Sequence, residues 1–171
     1  MRPEFKYGLM SGAGICLWIV TEYCLGLHTI HLEVGEKTGY FSSIIPLVTL
    51  FLLLRQKQSA AYDGRLTLGQ GIASGLAASF LEGVIVYGFM LFYNQYINPN
   101  WVDNALAMKV TQLRDHGVAE SHIREQITLY RQANSALGMI TTTLLGLTVM
   151  GGIFSLVLTL LLRLRPRSPL A

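Results

Sequence analysis

The 171-residue sequence predicts an all-α fold, an integral membrane four-helix bundle with an extracytoplasmic amphipathic helical hairpin between its third and fourth spans. Three observations carry that expectation. The composition is 51% hydrophobic and only 13% charged, against roughly 25% charged in ordinary soluble domains. Four apolar stretches, Gly8–Leu27, Tyr40–Leu54, Leu68–Tyr93 and Ala136–Leu162, alternate with polar segments. The longest polar segment, residues 99–135, has a helical periodicity of its own. A mean hydropathy of +0.44 agrees with a chain solvated by lipid.

Three of the stretches reach the ~20 residues that cross a ~30 Å hydrocarbon core. Tyr40–Leu54 is shorter; extension back through Gly39 and Thr38 makes residues 38–54 a span that Pro46 can kink. All 171 residues then form one transmembrane domain, with a basic tail at 163–171. Lys and Arg collect on the cytoplasmic side of a membrane. With the N-terminus inside, Arg2, Lys6, Arg55, Lys57, Arg65, Arg163, Arg165 and Arg167 all face the cytoplasm on short segments. Lys37, Lys109, Arg114, Arg124 and Arg131 fall outside, the last four offset by Asp103, Asp115, Glu120 and Glu125. Both termini are therefore expected inside. The first stretch starts like a signal peptide, but no small-residue cleavage site comes after it and Glu22 interrupts it, so an uncleaved span is the expectation.

The net charge of +3 does not point to nucleic acid, because the basic residues flank apolar runs and form no stripe. Cys16 and Cys24 lie eight residues apart on one helix, about 12 Å of rise, too far for a disulfide. They read as small apolar fillers.

In the long polar segment, Asn98-Pro99 stops the third span and Asn100 can cap the next helix. Val102, Leu106, Val110 and Leu113 recur at helical spacing, Gly117 ends that helix, and Ile123, Ile127 and Tyr130 mark the face of a second. An apolar face must lie on something: its own bundle, the lipid surface, or a partner protein docking on Leu106, Val110, Ile123 and Ile127.

The chain resembles the bacterial membrane-protein family catalogued as domain of unknown function 4199. The resemblance is carried by KYGL (Lys6–Leu9), the basic turn Arg55–Lys57, LTLGQG (Leu66–Gly71), YINPNWVD (Tyr96–Asp103), and the Gly117, Val118, Glu120 break. It implies four transmembrane helices, an extracytoplasmic helical insertion and a bacterial inner membrane. It brings no activity, substrate or functional residue.

Two carboxylates stand inside apolar stretches. Counted from Gly69, Glu82 is about 20 Å up; counted from Gly8, Glu22 is about 21 Å up; counted back from Leu162, Thr148 is about 21 Å up. A polar layer of Glu22, Glu82 and Thr148 is expected inside the bundle, since an ionised carboxylate facing lipid costs several kcal/mol. Gly71, Gly75, Ser79 and Gly83 form a small-xxx-small run beside Glu82, the pattern that lets helices approach closely. The layer has three readings: a register-fixing hydrogen-bonded core, a proton or cation site, or a contact with another subunit's cation.

HTIHLEVGE puts His28, His31, Glu33 and Glu36 after the first span. It reads as a solvated interfacial loop, with His28 and His31 weak candidates for a metal. No cofactor is implied, and no nucleophile–base pair suggests an enzyme. The expected partners are the lipid bilayer and another membrane protein or a second copy of the chain. The expected function is an accessory or scaffold subunit; the alternative is a small proton- or cation-coupled transporter or channel-like oligomer using the intramembrane carboxylates.

Overall fold

Where two helices bring only Gly and Ser to their contact, their backbones can approach until side chain meets backbone. The computed structural model describes residues 1–61 and 66–164 and is built around such a contact. Its helices are α1 (Pro3–Cys24), α2 (Leu32–Thr38), α3 (Ile44–Ala60), α4 (Leu68–Phe92), α5 (Trp101–Asp115), α6 (Glu120–Ala133), α7 (Ala136–Met139) and α8 (Gly146–Leu164). A 3-10 turn (Gly39–Ser43) links α2 to α3, and π-helical turns extend α4 (Tyr93–Ile97) and join α7 to α8 (Ile140–Leu145).

Four of these helices pack side by side as a ring: α1 on α4, α4 on α8, α8 on α3, and α3 on α1. In the α4–α8 contact, a Cβ added to Gly75 would strike the Ser155 side chain, and one added to Gly151 would strike Ser79. Gly71 meets Thr159 in the same way, and Gly83 lies against the Leu144 carbonyl. Each helix thus offers a glycine to the other's hydroxyl residue. Gly71, Gly75, Ser79 and Gly83, the small-residue run read from the sequence, all face α8 or the π turn before it.

The distribution of side chains is inverted relative to a soluble protein. Ser11, Ser74, Ser79, Ser155 and Thr159 are buried, whereas Leu17, Phe80, Val84, Ile153 and Leu161 lie on the outside. An apolar exterior is stable only against an apolar solvent. Three continuous helical stretches, Leu32–Ala60, Leu68–Ile97 and Ala136–Leu164, are long and apolar enough to cross a membrane. The sequence counts α1 as a fourth span; it is 22 residues long, but Glu4, Lys6 and Glu22 lower its hydropathy and it is not among the three.

The helix ends reflect local chemistry. Thr67 and Gln70 form a reciprocal capping box at the start of α4, and Ser135 accepts from the Gly138 N–H at the start of α7. Near the ends of α1 and α3, Lys57 pairs with Glu4 and donates to Ser74 Oγ at 2.7 Å, tying three helices together. Gln58 Nε2 donates to the Leu162 carbonyl at 3.1 Å, joining the ends of α3 and α8. Gly117 takes φ +71° after α5, where L side chains are strained.

Several expectations need correction. Helical backbone extends past the second apolar stretch at both ends, running from Leu32 to Ala60. Leu32–Glu36, expected as part of an interfacial loop, belongs to helix α2. Asn100 occupies the cap position of α5, but its side chain makes no cap hydrogen bond. Arg65 and the tail residues Arg165 and Arg167 lie outside the described residues.

The seam predicts a specific pattern. Gly75→Ala should destabilise the protein by about 1–3 kcal/mol through overpacking, and adding Ser155→Gly should recover much of that loss. Gly88→Ala, where an added Cβ meets nothing within 4 Å, should be neutral or stabilising by up to about 1 kcal/mol. Thermal unfolding in detergent checks all three.

Candidate functional site

A carboxylate at the end of an apolar helix must find donors or be neutralised. Glu22, the third residue from the end of α1, is 3% exposed. After α1, Gly26 adopts φ +74° and reverses the chain, which brings His28 back over Glu22. His28 Nε2 lies 3.4 Å from Glu22 Oε2, and Thr38, the last residue of α2, donates its hydroxyl to Glu22 Oε1 at 2.6 Å. Gly35 makes this possible: a Cβ there would collide with the Leu27 carbonyl, so only glycine lets α2 sit on the turn.

The network continues into α4. His28 Nδ1 lies 2.7 Å from the Tyr93 hydroxyl, and Asn98 Nδ2 donates both to that hydroxyl (3.3 Å) and to the His28 carbonyl (3.2 Å). Asn98, Tyr93, His28 and Thr38 can each donate one step toward the carboxylate if His28 carries its proton on Nε2. The hydrogen-bond pattern assigns that tautomer. Burial lowers the His28 pKa, with the Glu22 charge pulling the other way. His28 is therefore neutral near neutral pH. The Trp101 ring lies 4.4 Å from the His28 ring, and Tyr93 meets both His28 and Tyr23 edge to face.

Beside the network is a cavity of about 280 Å³ between α2 and the α5–α6 pair. Glu22, Glu36, Trp101, Lys109 and Tyr130 are among its walls. Both His28 nitrogens are already engaged, and the lining holds no hydroxyl or thiol of Ser, Thr or Cys. The chemistry it offers is two carboxylates, ring faces and one ammonium.

The expected layer of Glu22, Glu82 and Thr148 does not form. Gly8 packs against Ala78 and Gly12 against Ile85, a register that sets Glu82 level with Ser11. Glu22 lies eleven residues farther along α1, about 16 Å of rise. The depth count sets Gly8 level with Gly69, whereas Gly8 packs against Ala78, nine residues farther along α4. Thr148 bonds back to the Leu144 carbonyl at 2.7 Å. Glu82, 2% exposed, faces a separate cavity of about 150 Å³ with Ser42, Ser43, Ser79 and Phe154. The buried hydroxyls of Ser11, Ser79 and Ser155 make no hydrogen bond to described residues.

The remaining candidates fall elsewhere. Leu106, Val110, Ile123 and Ile127 face one another across α5 and α6 around a cavity of about 240 Å³, so the hairpin covers its own apolar faces. His31 is exposed, apart from the buried His28. Sequence reasoning misses Tyr93, Asn98 and Trp101 as members of the Glu22 site because they are distant along the chain; the one available signal is that a buried carboxylate requires donors at its own depth.

Tyr93→Phe should cost about 1–3 kcal/mol, since it leaves the buried His28 Nδ1 without its partner and takes one of two acceptors from Asn98 Nδ2. Tyr87→Phe, whose hydroxyl reaches the Ala136 carbonyl at 3.3 Å in an exposed position, should change stability by less than about 0.5 kcal/mol. Thermal unfolding of the two variants in one detergent provides the comparison.

No curated protein and no solved structure matches the chain. The family described as a protein of unknown function, DUF4199, matches residues 6–163, nearly the whole chain, and the protein belongs to that family.

Proposed function

We propose that the chain is a four-span protein of the bacterial inner membrane, with both termini cytoplasmic, and that it works by binding, as an accessory or scaffold subunit. In this reading α5 and α6 form an extracytoplasmic hairpin that roofs the Glu22 pocket. The observation that carries it is the separation of the two carboxylates. Glu22 is closed into a network with Thr38 and His28 at one end of the bundle, while Glu82 lies in its own small cavity. Between α4 and α8 the interlocked Gly and Ser residues leave no room for a conduit. A pathway would need polar groups in succession, and an oligomer to build a wall around them. The pocket lining holds no Ser, Thr or Cys nucleophile, which supports binding over catalysis.

One observation favours the second reading, a cation-coupled transporter: Glu82 stands near buried hydroxyls that have no partner among the described residues. Two measurements separate the readings. With Gln112→Cys in a chain lacking Cys16 and Cys24, an impermeant thiol reagent should label intact cells from outside; labelling only after lysis reverses the topology. In liposomes the wild type should carry no proton or alkali-cation flux under a pH gradient, and native mass analysis after mild extraction should find a bound partner protein or a second copy. Flux that Glu82→Gln abolishes while the fold survives would establish transport instead.

A further inference from the structure

We propose that the cavity between α2 and the α5–α6 pair is a binding site for a small organic ammonium ion, either free or carried on a lipid headgroup. The inference rests on the binding role proposed above and names the chemistry that the pocket selects.

Its walls combine the two groups that hold an ammonium. His28, Trp101 and Tyr130 present rings, and Glu22 and Glu36 present carboxylates. A cation over an aromatic face is attracted by the ring quadrupole, most strongly where water is excluded. Glu22 is the deepest of these groups, at 3% exposed. Thr38 satisfies one of its oxygens; the other faces a neutral His28. Among the described residues no Lys or Arg lies within ion-pair distance of it. A buried carboxylate without a cation is costly, and a cationic ligand relieves that cost.

The chain itself shows where a cation rests. Lys109 Nζ stands 5.9 Å from the centre of the Tyr130 ring and 3.9 Å from Glu36 Oε1. Both side chains of the Lys109–Glu36 pair are close to half exposed, so the contact is loose and Lys109 can be displaced. Two carboxylates against one ammonium make the cavity unfavourable for an anion. A neutral apolar guest would leave Glu22 desolvated and without a cation. At about 280 Å³ the space falls just under the ~300 Å³ at which sites for drug-sized molecules begin, so the guest is small.

The test uses the full chain in nanodiscs of phosphatidylglycerol, whose headgroup has no ammonium. Trp18→Phe leaves Trp101 as the only tryptophan and therefore as the reporter. Titration with choline and with ethanolamine should change Trp101 emission saturably, whereas 3,3-dimethylbutanol, the neutral isostere of choline, should not. A second set of discs containing phosphatidylethanolamine identifies the source. A change in emission there, with none from the free amines, assigns the site to a headgroup; saturable binding of the free amines assigns it to a soluble ligand; either supports the proposal.

Glu22→Gln should weaken binding by roughly thirtyfold or more, and Tyr130→Leu, at the rim, by roughly fivefold. Lys109→Met removes the internal competitor and should tighten binding, an effect that a purely structural role for these residues would not produce. Should Glu22→Gln not fold, the Tyr130 and Lys109 variants decide. The proposal is overturned if neither amine nor headgroup gives a saturable change, if the neutral isostere binds as well as choline, or if folded Glu22→Gln binds unchanged. A bound partner protein found by native mass analysis alongside any of those outcomes would leave the scaffold reading standing and remove the ammonium site alone.

Discussion

The reciprocal contact of α4 with α8 sets the geometry on which the other helices depend. In lipid, apolar side chains gain nothing from leaving the solvent, so helices associate through close packing and polar contacts. Gly75 against Ser155 and Ser79 against Gly151 supply that packing by keeping large groups out of the centre of the contact. The large side chains are correspondingly displaced outward, where Phe80, Val84, Ile153 and Leu161 meet lipid. What remains inside is small and hydroxylated, and α1 and α3 complete the ring around it. Because α4 touches both α1 and α8, its register on one side constrains the depth of every group on the other.

That register explains why two intramembrane carboxylates have different surroundings. Gly8 and Gly12 let α1 approach α4 at Ala78 and Ile85, which leaves Glu82 in the interior and carries Glu22 to the far end. There the chain can turn. Gly26 reverses it and Gly35 lets α2 lie on the turn, so one carboxylate gathers donors from the turn, from α2 and, through His28, from the π-helical end of α4. The π turn at Tyr93–Ile97 has its own consequence, since Tyr93 and Asn98 are five residues apart and still meet on one side of the helix. Insertions of this type recur at functional sites because they re-aim side chains that a regular helix would spread around its surface.

Much of the architecture is legible in the sequence because it rests on local signals. Apolar length marks the long helices, Asn98-Pro99 and Gly117 bound α5, and spacings of four residues mark Gly71, Gly75, Ser79 and Gly83 as a face. The site is less legible, for a physical reason. Its members are joined by tertiary contacts between residues 65 and 70 positions apart, and no local pattern encodes such pairing. His28 and Glu22 each stand out alone, yet HTIHLEVGE reads as polar loop because His and Glu recur through it, and its one decisive residue, Gly35, acts by lacking a side chain. The depth count fails in its starting points: it sets Gly8 level with Gly69, whereas Gly8 packs against Ala78, nine residues farther along α4.

The two carboxylates therefore present different chemical problems. Glu82 is buried in the interior of the bundle, in a small cavity whose polar neighbours are the hydroxyls of Ser42, Ser43 and Ser79. Glu22 sits where the bundle ends and where α5 and α6 form a roof of mixed character, Trp101 and Tyr130 beside Lys109. A roof made only to exclude water would need no ionic groups along its underside, because each one adds a desolvation cost without improving the packing. Lys109 and Glu36 instead meet at the mouth of the cavity in a loose, half-exposed pair, while the buried carboxylate behind them has no strong cation of its own among the described residues. Charge is thus held in reserve at the entrance and left uncompensated at the back, an arrangement that favours a cation arriving from outside over a sealed structural core.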